Sequence, residues 1–72
     1  MEILAKLKEK KGRDENEKLV LLLLKKGKGI EYSVHTEING NYFYGHYFDN
    51  FWSDDGLEKA LEFYNNYEKK YF

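Results

Sequence analysis

Few residues in this chain could do chemistry. There are two histidines, His35 and His46, no cysteine, and only three hydroxyl residues besides tyrosine: Ser33, Thr36 and Ser53. Glu37 stands two positions from His35, which puts both side chains on one side of an extended backbone. If His46 lies on the neighbouring strand, His35, His46 and Glu37 become two imidazoles and a carboxylate, a set that zinc or nickel accepts with a position left open. The same His and Glu could serve as acid and base. Neither chemistry is strongly signalled. None of the hydroxyls stands in a nucleophile motif, and the glycines of "KKGKG" and "GNYFYG" lack the phosphate-binding pattern of a P-loop or a dinucleotide fold. A domain this small has little volume for a substrate pocket of about 300 Å³ or more. The expectation is a protein that is not an enzyme and carries no cofactor, with His35, His46 and Glu37 as the only weak metal alternative.

A second feature is compositional. "INGNYFYGHYFDNFW", residues 38 to 52, packs seven aromatics and a histidine into fifteen positions. Aromatic side chains on an exposed sheet face can anchor a protein contact, or they can stack on unpaired bases while neighbouring lysines track the phosphates. For the second reading the cations would be Lys6, Lys8 and Lys10 on one strand and Lys25, Lys26 and Lys28 around a turn. Against it, Glu31 and Glu37 sit among the aromatics, and eleven of the twelve basic residues are lysine, leaving a single arginine.

These residues must be positioned by a few elements. From Asp55 to Tyr71, apolar residues recur at 57, 60, 61, 64, 67 and 71, the spacing of one helical face. Ser53, Asp54 and Asp55 offer N-cap oxygens, and Lys69 and Lys70 suit the negative end of the helix dipole. Before it, "IEYSVHTEI" and "YFYGHYFD" are rich in β-branched and aromatic residues and are separated by "NGN", which predicts a hairpin of 30–38 and 42–49 with a two-residue turn. Uninterrupted alternation from that turn places Phe43, Gly45 and Tyr47 beside Ile30, Tyr32, Val34, Thr36 and Ile38, facing the helix. It places Tyr42, Tyr44, His46 and Phe48 beside His35 on the other face. Gly45 reads as a bulge or a close approach of the helix, and Phe51 and Trp52 as seals at the edge of the core.

The first 29 residues are ambiguous. "DENEKLVLLLLKKG" can be read as a capped helix, but a run apolar on both faces suits an inner strand better, so 18–26 is read as a strand. Residues 1–11 form either a first strand or a short helix. The fold class is therefore α+β, a three- or four-stranded antiparallel β-meander with one C-terminal amphipathic helix packed on one face, all in a single small domain of residues 1–72.

One helix covers one face of a sheet. The other face, with Tyr42, Tyr44, His46, Phe48, His35 and a set of leucines, is expected to form an apolar patch of the kind that marks interaction sites. A chain of 72 residues has a small core, and with no disulfide to help it, self-association gains weight. The net charge is −1, but residues 1–28 carry +4 and residues 29–72 carry −5, so copies could also meet through opposite charge. "LVLLLL" is far shorter than a membrane span, and the N-terminus lacks the apolar core of a signal peptide. Together with the absence of cysteine, this points to the cytoplasm and away from a membrane.

Small cysteine-free α+β chains rich in tyrosine and lysine are a type common among phage and mobile-element products that bind one host protein. That likeness of type implies an accessory or inhibitor role and assigns no residue. The functional expectation is a protein-binding module, acting as a homodimer or on another protein through Tyr42, Tyr44, His46, Phe48 and His35. The alternative is a single-stranded nucleic-acid binder.

Overall fold

The computed structural model describes residues 1–50 and 54–71, with side chains as far as residue 67. Four strands, β1 (Glu2–Lys11), β2 (Glu17–Lys26), β3 (Gly29–Ile38) and β4 (Asn41–Asp49), precede a helix, α1 (Gly56–Tyr71). The strands form one antiparallel sheet in sequence order, β1-β2-β3-β4, so β1 and β4 are its two free edges. This is the α+β meander expected, with four strands. Both segments that were open between strand and helix are strands. The expected roles of Phe51, Trp52, Ser53 and the side chains of Lys69, Lys70 and Tyr71 lie outside the described residues.

The doubly apolar run of β2 explains its central place. Leu19 and Leu21 point to the helix and form the main core with Val34, Ala60, Tyr64 and Tyr67. Val20, Leu22 and Leu24 point the opposite way and are just as fully buried, with Tyr42 against them. The helix starts with the Asp55 carbonyl accepting the Lys59 amide, while the free Gly56 amide donates to Asn50 Oδ1 at 3.1 Å. A Cβ on Gly56 would stand 3.0 Å from that same Asn50 oxygen, so the close approach of chain to helix calls for glycine.

The second face therefore corrects the expectation of an open apolar patch. Its leucines are covered without a second layer of secondary structure. Lys6 on β1 pairs with Glu37 on β3 at 3.2 Å, and Lys26 on β2 reaches Asp49 on β4 at 3.6 Å. Each pair joins strands that are not neighbours, about 10 Å apart, so each must pass over the strand between them. The aliphatic stem of Lys6 covers apolar surface of β2 on the way, beside Val20 and Leu22, whereas Lys26 passes beside Glu31, with which it also pairs.

The hairpin turn is the I′ type that Asn39-Gly40 predicts, with φ of 51° and 86° at the two turn residues. Pairing runs regularly from Ile38↔Asn41 to Thr36↔Phe43, and then slips. Val34 meets His46, so Tyr44 and Gly45 together stand opposite His35. This is a β-bulge, and its one extra residue reverses the alternation for the rest of β4.

Candidate functional site

The bulge reassigns half of the expected aromatic face. His46 and Phe48 turn to the helix: the His46 ring lies 4.4 Å from Phe63, and Phe48 lies 5.6 Å from Phe63. Tyr47, expected in the core, turns to the other face and stacks edge-on against His35 at 5.4 Å. Of the five residues expected to share one interaction face, Tyr42 and His35 are together there, with ring centroids 5.9 Å apart. His46 and Phe48 instead join β4 to α1. Phe43 faces the helix side as expected, but it lies toward the sheet end and stays 44 % exposed.

Tyr44 sits on the bulge itself. Its φ is +54°, in the left-handed region that a bulky aromatic rarely enters. Its side chain is 73 % exposed and its ring touches that of Phe43, with centroids 6.2 Å apart. On the other face of the same edge strand, Tyr47 is 55 % exposed. Tyr44 also lines a hollow of about 370 Å³ with Thr36, Ile38 and Tyr67. Among the described residues, the exposed aromatic surface is thus a rim along the β4 edge, set by the bulge, and not a sheet face.

Beneath that rim lies a buried polar pair. Ser33 and His35 share the non-helical face of β3; Ser33 is fully buried and His35 is 3 % exposed. Among the described residues, neither the Ser33 Oγ nor either ring nitrogen of His35 completes a hydrogen bond of good geometry. Burial pushes the His35 imidazole below its ordinary value of 6.5, and repulsion from His46 adds to this; the Phe43 backbone opposes them more weakly. His35 also explains Gly45. A Cβ at position 45 would lie 2.5 Å from His35 Cε1 and 2.9 Å from the Tyr47 hydroxyl, so the ring occupies the space a side chain would need.

The weak metal set does not assemble. His46 lies on the opposite face from His35 and Glu37, and among the described residues no three His, Cys, Asp or Glu side chains could hold a metal ion. An acid–base role for His35 with Glu37 finds no geometry either, because Glu37 is paired with Lys6 and the imidazole has no bond to any carboxylate.

The six lysines of the nucleic-acid reading are dispersed. Lys6 is held by Glu9 at 3.1 Å and by Glu37, and these partners raise its ammonium above the usual range. Lys8 and Lys10 lie over the Tyr64 ring on the helix side, and the Lys10 ammonium donates to the Tyr64 carbonyl at 2.9 Å. Lys26 pairs with Glu31 and Asp49 on the other side. Lys25 and Lys28 are exposed beside the β2–β3 turn. Tyr42 is half-buried, and burial together with the adjacent Glu37 carboxylate pushes its phenol up.

The left-handed Tyr44 and the buried His35 were both missed by the sequence reading. The one available signal was Gly45, whose meaning depends on which neighbour fills the missing Cβ. No helix among the described residues is long and apolar enough to cross a membrane. Comparison with known protein families, curated proteins and solved structures finds no match to this chain.

Proposed function

We propose that this chain is a non-enzymatic protein-binding module whose contact is the free edge of β4. Tyr44, Phe43 and Tyr47 are its anchors, and a second copy of the chain is its first partner. One observation carries the reading: a tyrosine held at φ +54° with most of its ring in solvent. A left-handed aromatic costs about 1–2 kcal/mol, and an exposed ring returns little of that within the monomer. Strain of this kind concentrates where a residue serves a contact.

The two sheet edges support the choice of β4. Edge strands invite pairing, and proteins blunt them with bulges and lysines. β1 has register shifts at two places and carries Lys6, Lys8, Lys10 and Lys11. β4 has one bulge, no lysine or arginine, and a single carboxylate at its end, Asp49. A second copy suits an unpaired edge of this composition, since aromatic side chains give large contact area at small entropic cost. Action on one host protein, as phage-type accessory and inhibitor proteins do, would use the same rim, and the cytoplasm suits a chain with no cysteine. Single-stranded nucleic acid is less well supported, because Lys6, Lys8, Lys10 and Lys26 are engaged within the chain.

Sedimentation equilibrium tests the reading, run from micromolar to submillimolar chain at low and high salt. The expected result is a dimer that salt barely affects, and a monomeric, folded Tyr44→Lys variant. A wild-type chain that stays monomeric throughout refutes it. So does a Tyr44→Lys variant that dimerises as well as wild type.

A further inference from the structure

The bulge that presents Tyr44 is packed directly on the one buried histidine, and this suggests how the rim is controlled. We propose that His35 is an acid-sensitive latch on the β4 edge: when its ring takes up a proton it leaves the slot over Gly45, and the bulge loses the conformation that presents Tyr44 and Phe43. The inference concerns the regulation of the β4 rim and rests on reading that rim as a contact surface.

The geometry is specific to this position. Between Glu31 and Ile38, His35 is the one residue of β3 without a single partner on β4, because Tyr44 and Gly45 stand opposite it together. Its ring fills the volume left by the missing Cβ of Gly45, with Tyr47 edge-on against it and Tyr42 tilted over it. Both nitrogens are shut off from water, and among the described residues neither makes a hydrogen bond of good geometry, the Phe43 backbone offering only a weak one. A neutral ring can stay there; an imidazolium adds a second N–H donor and a charge, and the Phe43 backbone, the one acceptor beside it, offsets only a small part of that cost.

Among the described residues, the charged groups around the slot are already paired with one another. On β3 the same face carries Glu31 and Glu37, but Glu31 is paired with Lys26 and Glu37 with Lys6. From β1, Glu9 stands in the row of Val20 and His35, yet it is bound to Lys6 and lies 3.8 Å from Lys18 of β2. From β4 come the phenols of Tyr42 and Tyr47 and, through the sheet, His46, which repels a second positive charge. α1 packs on the opposite face. Of the two rings against His35, Tyr47 is the one that is 55 % exposed.

The direction in pH follows. The latched ring binds a proton less readily than a ring in water, so the latched state holds fewer protons than the open one. Opening is therefore favoured as pH falls below 6.5, the ordinary histidine value, and the latch holds above it. Within that window the equilibrium for opening rises about tenfold per pH unit.

The experiment is an NMR titration of the full chain at a concentration where it is monomeric, from neutral to mildly acidic pH. Imidazole shifts of His35 and His46 are followed together with amide exchange at Tyr44 and Gly45. Once the intrinsic slowing of exchange in acid is divided out, opening at Tyr44 and Gly45 should rise about tenfold per pH unit as His35 titrates, while Leu21 and Val34 stay protected. His35→Phe should abolish that response and His46→Phe should keep it; His35→Gln provides a second neutral variant should phenylalanine not fit. Unchanged protection at Tyr44 and Gly45 while His35 titrates overturns the latch. A His35 that stays neutral until the whole chain unfolds cooperatively overturns it equally. If the local acid response is present but the chain never self-associates at neutral pH, the latch stands and the dimer reading falls.

Discussion

Replacing Tyr44 by glycine and, separately, by alanine isolates the backbone strain at the bulge. Both substitutions remove the ring and its contact with Phe43, so those losses cancel when the two variants are compared. What differs is the backbone at φ +54°. Alanine keeps the left-handed penalty of about 1–2 kcal/mol, which glycine escapes. Glycine's larger freedom in the unfolded chain takes back about 0.4–1 kcal/mol of this gain. The glycine variant should therefore be more stable than the alanine variant by roughly 0.5–1 kcal/mol. For a domain of this size that corresponds to about 3–6 °C in Tm. Thermal unfolding by circular dichroism, with urea unfolding as a second measure, reads the difference at a concentration where every variant is monomeric. If the alanine variant is as stable as the glycine variant, or more so, Tyr44 is not strained. The observation that carries the proposed contact is then lost.

Other substitutions test the surrounding structure. Gly45→Ala would bring a Cβ within 2.5 Å of the buried His35 ring, at a cost of about 1–3 kcal/mol; adding His35→Ala should return part of this in a double-mutant cycle, and full additivity would show that the two do not touch. Leu22 lies on the face away from the helix yet is fully buried, so Leu22→Ala should cost about 2–5 kcal/mol in urea unfolding. Leu7→Ala, at an exposed position on the β1 edge, should stay within about 0.5 kcal/mol of wild type. A small loss at Leu22 would mean that the charged side chains do not seal that face.

Much of the architecture is legible in short-range pattern. The helix follows from one apolar stripe in steps of three and four, and its observed start at Gly56 follows the acids that precede it. Asn39-Gly40 dictates the I′ turn because both residues tolerate positive φ. A strand apolar on both faces belongs inside a sheet, and β2 is there, with Leu19 and Leu21 toward the helix and Val20, Leu22 and Leu24 away from it. Each of these signals is contained in a few adjacent residues.

Two decisions were made only by tertiary structure. Alternation counted from the turn places Tyr42, Phe43 and His35 correctly, but one extra residue at Tyr44–Gly45 reverses every side chain after it. His46 and Phe48 thereby become helix contacts, and Tyr47 leaves the core. The sequence marks the place with a glycine. What fills the glycine's empty volume is the His35 ring, a contact between two strands that no local pattern announces. The second decision is the covering of the non-helical face. Lys6, Glu37, Lys26 and Asp49 read in sequence as ordinary solvated charges, because nothing local says that they meet. Only the order β1-β2-β3-β4 sets each pair on alternate strands, where Lys6–Glu37 must cross β2 beside Val20 and Leu22, and Lys26–Asp49 must cross β3 beside Glu31.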